Sequence, residues 1–310
     1  MYVSPEEFPQ FAQRIAQRVD PEKECLLLLV AEHHQRELTC MVQGLNAMQV
    51  RFIGGLFPLV IGNGRPRSEG MVVKVLPAPW RPIIVPLLSK GNFELPSLSP
   101  CREGNCHTAL VLVDGLTPNL TAFLGYLQNS LGPNLAYLGA GAGSASYKQL
   151  PCLISNAGVF ADAAMVLLTG CESEQRVSEG WKSVYGPLVV TKAEGNVIRE
   201  LNWRPALEVY RKAVQNCSGS PLETQYFTEV ASGFPLGMQR ANQRHVIRTP
   251  VGFSADGGVI CCGEIPGNAV LELLELEPGG LRHGVQRMAR KSTFTPNHRN
   301  AEGLIFSGVG

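Results

Sequence analysis

Apolar positions follow two rhythms along this chain, and the same succession of rhythms occurs twice. Phe8, Phe11, Ile15 and Val19 recur at helical spacing, and residues 25–31 form a continuous apolar run of the kind found in a strand buried on both faces. Leu38, Met41, Val42, Leu45 and Met48 then predict a helix, followed by a short strand over 50–53 that ends in Gly54 and Gly55. A second pass begins with the apolar run 109–113. Thr117 and Pro118 read as a helix start with proline in the first turn. Leu120, Phe123, Leu127 and Leu131 supply its stripe, and a strand over 135–138 ends in Gly139 and Gly141.

The echo continues beyond the glycines: residues 69–74 follow the first pair as 162–167 follow the second. Each copy reads strand, helix, strand, glycine turn, loop, strand. Ordinary α/β patterning accounts for this, and so does a pseudo-symmetric pair of units, about 25–76 and 109–169, whose glycine turns face one cleft. Between the copies, residues 77–107 are rich in proline and glycine and predict a long surface connection. In the second half, Asn202 and Pro205 open a helix carrying Leu207, Val209, Tyr210, Ala213 and Val214, which ends before Asn216 and Gly219. Strands are expected over 245–249, 258–262 and 269–275, with Asp256, Gly257 and Gly258 turning between the first two. Leu281, Val285 and Met288 mark a last helix whose end carries Arg287, Arg290 and Lys291. The apolar run 304–306 just before Gly310 reads as a strand cut short, so the C-terminal end is expected to be incomplete. The predicted fold class is α/β of mixed α+β character, with two mixed β-sheets layered with helices.

Composition narrows the function classes. The 310 residues are 45% hydrophobic and 17% charged, enough for one large or two ordinary globular domains. Lys plus Arg number 27 against 26 Asp plus Glu, a balance of +1 that gives no field to attract nucleic acid or an anionic membrane. Glu6, Glu7, Arg14 and Arg18 interrupt the first twenty residues, unlike a signal peptide, and no run reaches transmembrane length. Nine cysteines at irregular spacing read as reduced thiols, hence a cytoplasmic protein.

Motif by motif, no reaction is named. Gly139, Gly141 and Gly143 imitate the start of a dinucleotide-binding turn, but 144–150 lacks an apolar stripe and Pro151 ends it, so no helix opens on the glycines. Those glycines either let backbone pack closely on backbone or, with Ser144, present amide donors to a carboxylate. Cys101, Cys106 and His107 lack zinc-site spacing, and Cys261 and Cys262 point to opposite faces of one strand. The remaining histidines, among them His33 and His34 in a turn after the first strand, form no triad and no paired metal motif. Asp114 sits at a strand end, where α/β proteins place functional carboxylates, or else caps the next turn. Neither a cofactor nor a metal site is expected.

Three blocks in order carry a resemblance: Gly180-Trp181-Lys182, then Val190-Thr191-Lys192-Ala193-Glu194-Gly195-Asn196-Val197-Ile198, then Pro205-Ala206-Leu207-Glu208-Val209-Tyr210. They resemble the junction of the N-terminal and C-terminal FIST domains, the "F-box and intracellular signal transduction" family. The resemblance implies a FIST N-terminal domain over 1–202 and a C-terminal one over 203–310, the latter departing from the family pattern at Gly308, where many members carry a cysteine. It implies a non-catalytic sensory module that binds a small ligand, such as an amino acid or other small carboxylate, and acts on a signalling protein partner. Gly141, Gly143, Ser144, Trp181, Thr191 and Arg248 are the expected ligand-binding residues. Trp181 serves equally as a core ring, and Arg248 equally pairs with an acidic neighbour. Two other readings stay open: an interaction scaffold like the receptor part of F-box proteins, and an enzyme using a cleft cysteine or Asp114.

Overall fold

The structure, a computed structural model, describes residues 1–95, 106–173, 180–239 and 245–279. The chain divides into two compact units, Met1–Gln175 and Arg176–Gly310.

In the first unit the chain forms β1 (Tyr2–Val3), α1 (Phe8–Ala16), β2 (Glu24–Ala31), a 3-10 turn (Glu32–Glu37), α2 (Leu38–Ala47), β3 (Phe52–Phe57), a small hairpin of β4 (Val60–Gly62) and β5 (Arg65–Arg67), and β6 (Met71–Pro77). The second pass gives β7 (Ile83–Pro86), β8 (Thr108–Asp114), α3 (Leu120–Leu131), β9 (Ala136–Ala142), a hairpin of β10 (Leu153–Ser155) and β11 (Gly158–Phe160), and β12 (Ala163–Thr169). One sheet runs β1-β6-β2-β3-β10-β11 and the other β7-β12-β8-β9. The pseudo-repeat is therefore real and extends to the edge strands. In both sheets the central strand pairs in parallel on one side and antiparallel on the other. Val30 lies opposite Leu56 and Met71 as Val113 lies opposite Gly141 and Ala164.

That register places Gly54 opposite Leu28 and Gly139 opposite Val111, which are equivalent positions of the two copies. Neither glycine is in a turn, contrary to the sequence expectation. Both lie inside strands, because a Cβ at Gly54 would sit 2.5 Å from the Leu28 carbonyl oxygen, and one at Gly139 would strike Val111 backbone. Local turn grammar cannot distinguish a bend from a close approach of strands.

α3 lays Phe123, Leu127 and Leu131 on Ala109, Val111, Val113, Ala164 and Val166, one face of the second sheet. The opposite-face residues Leu110, Leu112, Met165 and Leu167 are buried as well, and β10 of the first sheet touches both β8 and β12. Covering on both faces explains the uninterrupted apolar runs. The helix begins at Leu120 rather than at Thr117 and Pro118. Asn119 precedes it in the left-handed region (φ 62°), its side-chain amide donating to the Leu88 and Ser89 carbonyls at 3.1 and 3.0 Å. The expected surface connection also contains β7, whose Ile83 and Val85 are buried. As an edge strand it tolerates Pro86, and the surrounding prolines hid it.

The second unit holds β13 (Trp181–Glu194), β14 (Val197–Leu201), β15 (Arg204–Pro205), α4 (Ala206–Ser218), α5 (Phe227–Gly233), β16 (Leu236–Gln239), β17 (His245–Arg248), β18 (Pro250–Phe253), β19 (Val259–Cys261) and β20 (Val270–Leu276). They make one eight-stranded sheet, β17-β16-β20-β13-β14-β19-β18 with β15 on β14, antiparallel throughout. Tyr210, Ala213 and Val214 of α4 and Phe227 of α5 join Leu188, Val190, Ile198 and Leu273 in its core. The Asp256-to-Gly258 turn connects β18 to β19, not β17 to the next strand; β18 and β16, interrupted by Pro250, Gly252 and Gly237, were not foreseen. The expected helix bearing Leu281, Val285 and Met288, and the run 304–306, lie outside the described residues.

Candidate functional site

Parallel strands deliver their C-terminal ends, and the loops that follow them, to one edge of a sheet, the usual place for a ligand in α/β folds. In the first unit β2 delivers Glu32, His33 and Gln35, and β3 delivers Pro58. The end of β9 meets them: the Gly143 amide donates to the Leu56 carbonyl at 2.8 Å, and a Cβ at Gly55 would approach Ala142 Cβ to 2.9 Å. The glycine-bearing strands of the two copies thus abut. A cavity of about 340 Å³ lies there, lined by Glu32, His33, Gln35, Leu56 and Pro58 together with Ser68 and Ser144.

The polar groups of this cavity are held from several elements. One Glu32 carboxylate oxygen accepts the Ala145 amide at 2.8 Å, tying the turn after β2 to the loop after β9. Ser144 Oγ lies 3.0 Å from Ser146 Oγ and accepts the Ser146 amide at 3.1 Å. Beside His33, His34 is buried between Phe8 and the His33 ring. Its Nε2 accepts the Gly70 amide at 2.8 Å, so the ring proton sits on Nδ1 and faces Glu37 at 2.7 Å. Gly70 is required there: its φ is +83°, and a Cβ would lie 2.7 Å from the Val3 carbonyl oxygen.

The corresponding end of the second copy is filled by its own chain. Asp114, 2% exposed, accepts the Leu116 amide at 3.0 Å, Gln149 Nε2 at 3.1 Å and the Asp162 amide at 2.7 Å. Asp162 in turn accepts the Ser89 amide and hydroxyl and the Thr117 hydroxyl. Burial raises the Asp162 carboxyl, but these hydrogen bonds outweigh it and hold the group below its ordinary value. Of the two readings of Asp114, the geometry selects the cap of the next turn.

The FIST N domain model matches residues 81–204, and the FIST C domain model matches residues 206–310. The chain belongs to the FIST family. FIST domains serve as sensory domains in signal transduction. No curated protein and no solved structure matches the chain. The FIST N match starts inside the first unit and ends within the second, at Arg204, the first residue of β15. Glu32, His33, Leu56 and Ser68 precede the matched span, and Ser144 falls inside it. Among the described residues of this FIST protein, no helix is long and apolar enough to cross a membrane, and no group of three or more His, Cys, Asp or Glu could hold a metal ion.

The six residues expected to bind ligand divide between the two units. Ser144 lines the cavity of the first. Gly143 spends its amide on Leu56, and Gly141 faces Gly115, where a Cβ would meet the Gly115 Cα at 3.1 Å. In the second unit, Trp181 begins β13 half-buried opposite Leu276. Thr191 Oγ1 accepts the Trp203 amide at 3.1 Å and lies 3.5 Å from Glu200. The Arg248 guanidinium donates to the Glu264 and Ile247 carbonyls at 2.7 and 3.1 Å, with Gly263 leaving room beside it. Glu194 pairs with Arg199 at 3.1 Å. Sequence reasoning passed over Glu32, Gln35 and Ser68. The signal for Glu32 was available: it follows an apolar strand directly, the same criterion that singled out Asp114.

Proposed function

We propose that this FIST protein is a non-catalytic sensor that binds a free amino acid in the cavity at the ends of β2 and β3. What carries the reading is a single carboxylate, Glu32, in a cavity whose other polar lining groups, His33, Gln35, Ser68 and Ser144, are able to donate hydrogen bonds. An α-ammonium group suits Glu32, an α-carboxylate suits His33, Gln35 and Ser144, and Leu56 with Pro58 offers an apolar wall to a side chain. A volume of about 340 Å³ falls in the range of small-molecule sites. Binding at Glu32 competes with the Ala145 amide, which gives the ligand a route to the loop after β9. Burial pushes the Cys25 thiol up to about 12 and the Cys262 thiol to about 11, and raises Cys152 and Cys261 further, which leaves little thiolate at these four positions.

The test is a thermal-shift panel of amino acids, matched carboxylic acids lacking the ammonium group, and matched amines. A ligand at a hundred times its Kd stabilises by about 2.7 kcal/mol, which raises Tm by roughly 5–10 °C in a unit of this size. Amino acids are expected to give that shift and the Glu32→Gln variant to lose it. A flat panel, or an unchanged response in Glu32→Gln, refutes the reading.

A further inference from the structure

The hairpin joining β14 to β15 turns on Asn202 and Trp203, both in the left-handed region at φ 50° and 60°. Two successive positive φ values define the tight hairpin turn in which asparagine followed by glycine is favoured. Asn202 suits the first place. Tryptophan in the second is strained, and its ring gains little from the fold: at 78% exposure it is the most exposed large hydrophobic side chain among the described residues.

The turn beneath it is fixed. Asn202 exchanges two hydrogen bonds with the Val189 backbone, each 2.8 Å, and the Trp203 amide donates to Thr191 Oγ1. An aromatic ring held out on a rigid arm loses little freedom on association, which is the property of an interface anchor.

Next in the chain, Pro205 starts a groove of about 770 Å³ along the outer face of α4, with Arg211, Lys212, Gln215 and Asn216 on its floor. Glu208, the acid of this groove, is already paired with Arg204. Arg211 is held in place by Thr224 Oγ1 at 2.9 Å and by the Phe253 ring, whose centroid lies 5.5 Å from its guanidinium carbon. Neither Arg211 nor Lys212 has an acidic partner among the described residues. The groove therefore carries positive charge with no acidic partner among the described residues, and the exposed indole of Trp203 stands two positions before Pro205, its first lining residue, in a chain whose net charge is only +1.

We propose that Trp203 and this groove form the docking surface for an acidic, leucine-type apolar segment of a partner protein. The partner's apolar side chains cover the indole. Its carboxylates meet Arg211 and Lys212, about 8–9 Å along α4 from the helix start at Ala206, at 1.5 Å per residue. This surface stands on observations of the second unit alone and is independent of the amino acid cavity.

The probe is a twelve-residue synthetic peptide of alternating glutamate and leucine, with a lysine–leucine peptide as its control. Trp80 and Trp181 are half-buried, so the difference in emission between the wild-type protein and a Trp203→Phe variant isolates the exposed ring. The acidic peptide is expected to blue-shift Trp203 emission and to protect it from acrylamide. Raising salt from 50 to 500 mM is expected to weaken binding at least tenfold. Trp203→Gly and Lys212→Glu should each weaken it at least tenfold, with Tm unchanged or, for Trp203→Gly, raised. Three results overturn the proposal: no protection of Trp203, equal binding of the basic peptide, or a concentration-dependent dimer in sedimentation that Trp203→Gly abolishes, which makes a second copy the occupant.

Discussion

Replacing Gly139 by alanine tests the repeat at its tightest point. The added Cβ would lie 2.8 Å from the Val111 carbonyl carbon and 3.2 Å from its Cα, with the oxygen closer still. Ordinary carbon contacts are about 3.5–4.0 Å, so β8 and β9 must part by roughly 1 Å, and nothing nearby is a flexible side-chain end that yields instead. Parallel ladder bonds near 2.9 Å would stretch past the limit of a hydrogen bond. Overpacking costs about 1–3 kcal/mol and each lost bond about 1 kcal/mol, so the substitution should remove roughly 3–5 kcal/mol. That is a large share of the 5–15 kcal/mol typical of a folded protein. Urea titration followed by circular dichroism reads the loss as a lower midpoint. Gly54→Ala, at the equivalent register position and 2.5 Å from the Leu28 oxygen, should behave alike. Gly125→Ala, in α3 with nothing within 4 Å of the new atom, should gain up to about 1 kcal/mol. If Gly139→Ala melts with the wild-type midpoint, the close-approach account of both glycines is wrong.

Two further outcomes are expected. Because the folded Asp162 carboxyl lies below its ordinary value of 3.8, its contribution is present above that value and is lost as pH falls through the folded pKa; Asp162→Asn should flatten the acid limb of the stability profile below about pH 4, and an unchanged limb would show that Ser89 and Thr117 do not hold the ionised form. Alkylation at pH 7.5, read by peptide mass mapping, should mark exposed Cys40 and Cys171 first among the described thiols and leave Cys25, Cys152 and Cys261 silent until denaturant is added; early labelling of Cys152 would contradict its burial.

Much of the backbone was legible because its cause is local. The runs 25–31 and 109–113 are apolar at every position because strands covered on both faces must be, and the stripes of α1, α2 and α3 follow from burying one helix face. The repeat was legible for the same reason, since each copy needs the same rhythm to fill the same layers. β7 was masked by prolines that only an edge position tolerates, and the glycine or proline inside β16 and β18 (Gly237, Pro250 and Gly252) interrupts the apolar pattern of a strand.

The residues themselves determined the buried strands β2 and β8, the helices packed on them, that two copies succeed one another, and that this is a FIST chain, since each follows from neighbours or from an ordered motif. The tertiary structure alone decided what the glycines are for, and that Glu32 lines a cavity while Asp114 is buried. Glu32 meets the Ala145 amide across 113 positions, and Asp114 is closed by Gln149 and Asp162 across 35 and 48. Pairing between distant strands sets those distances, and no period within a single strand encodes them.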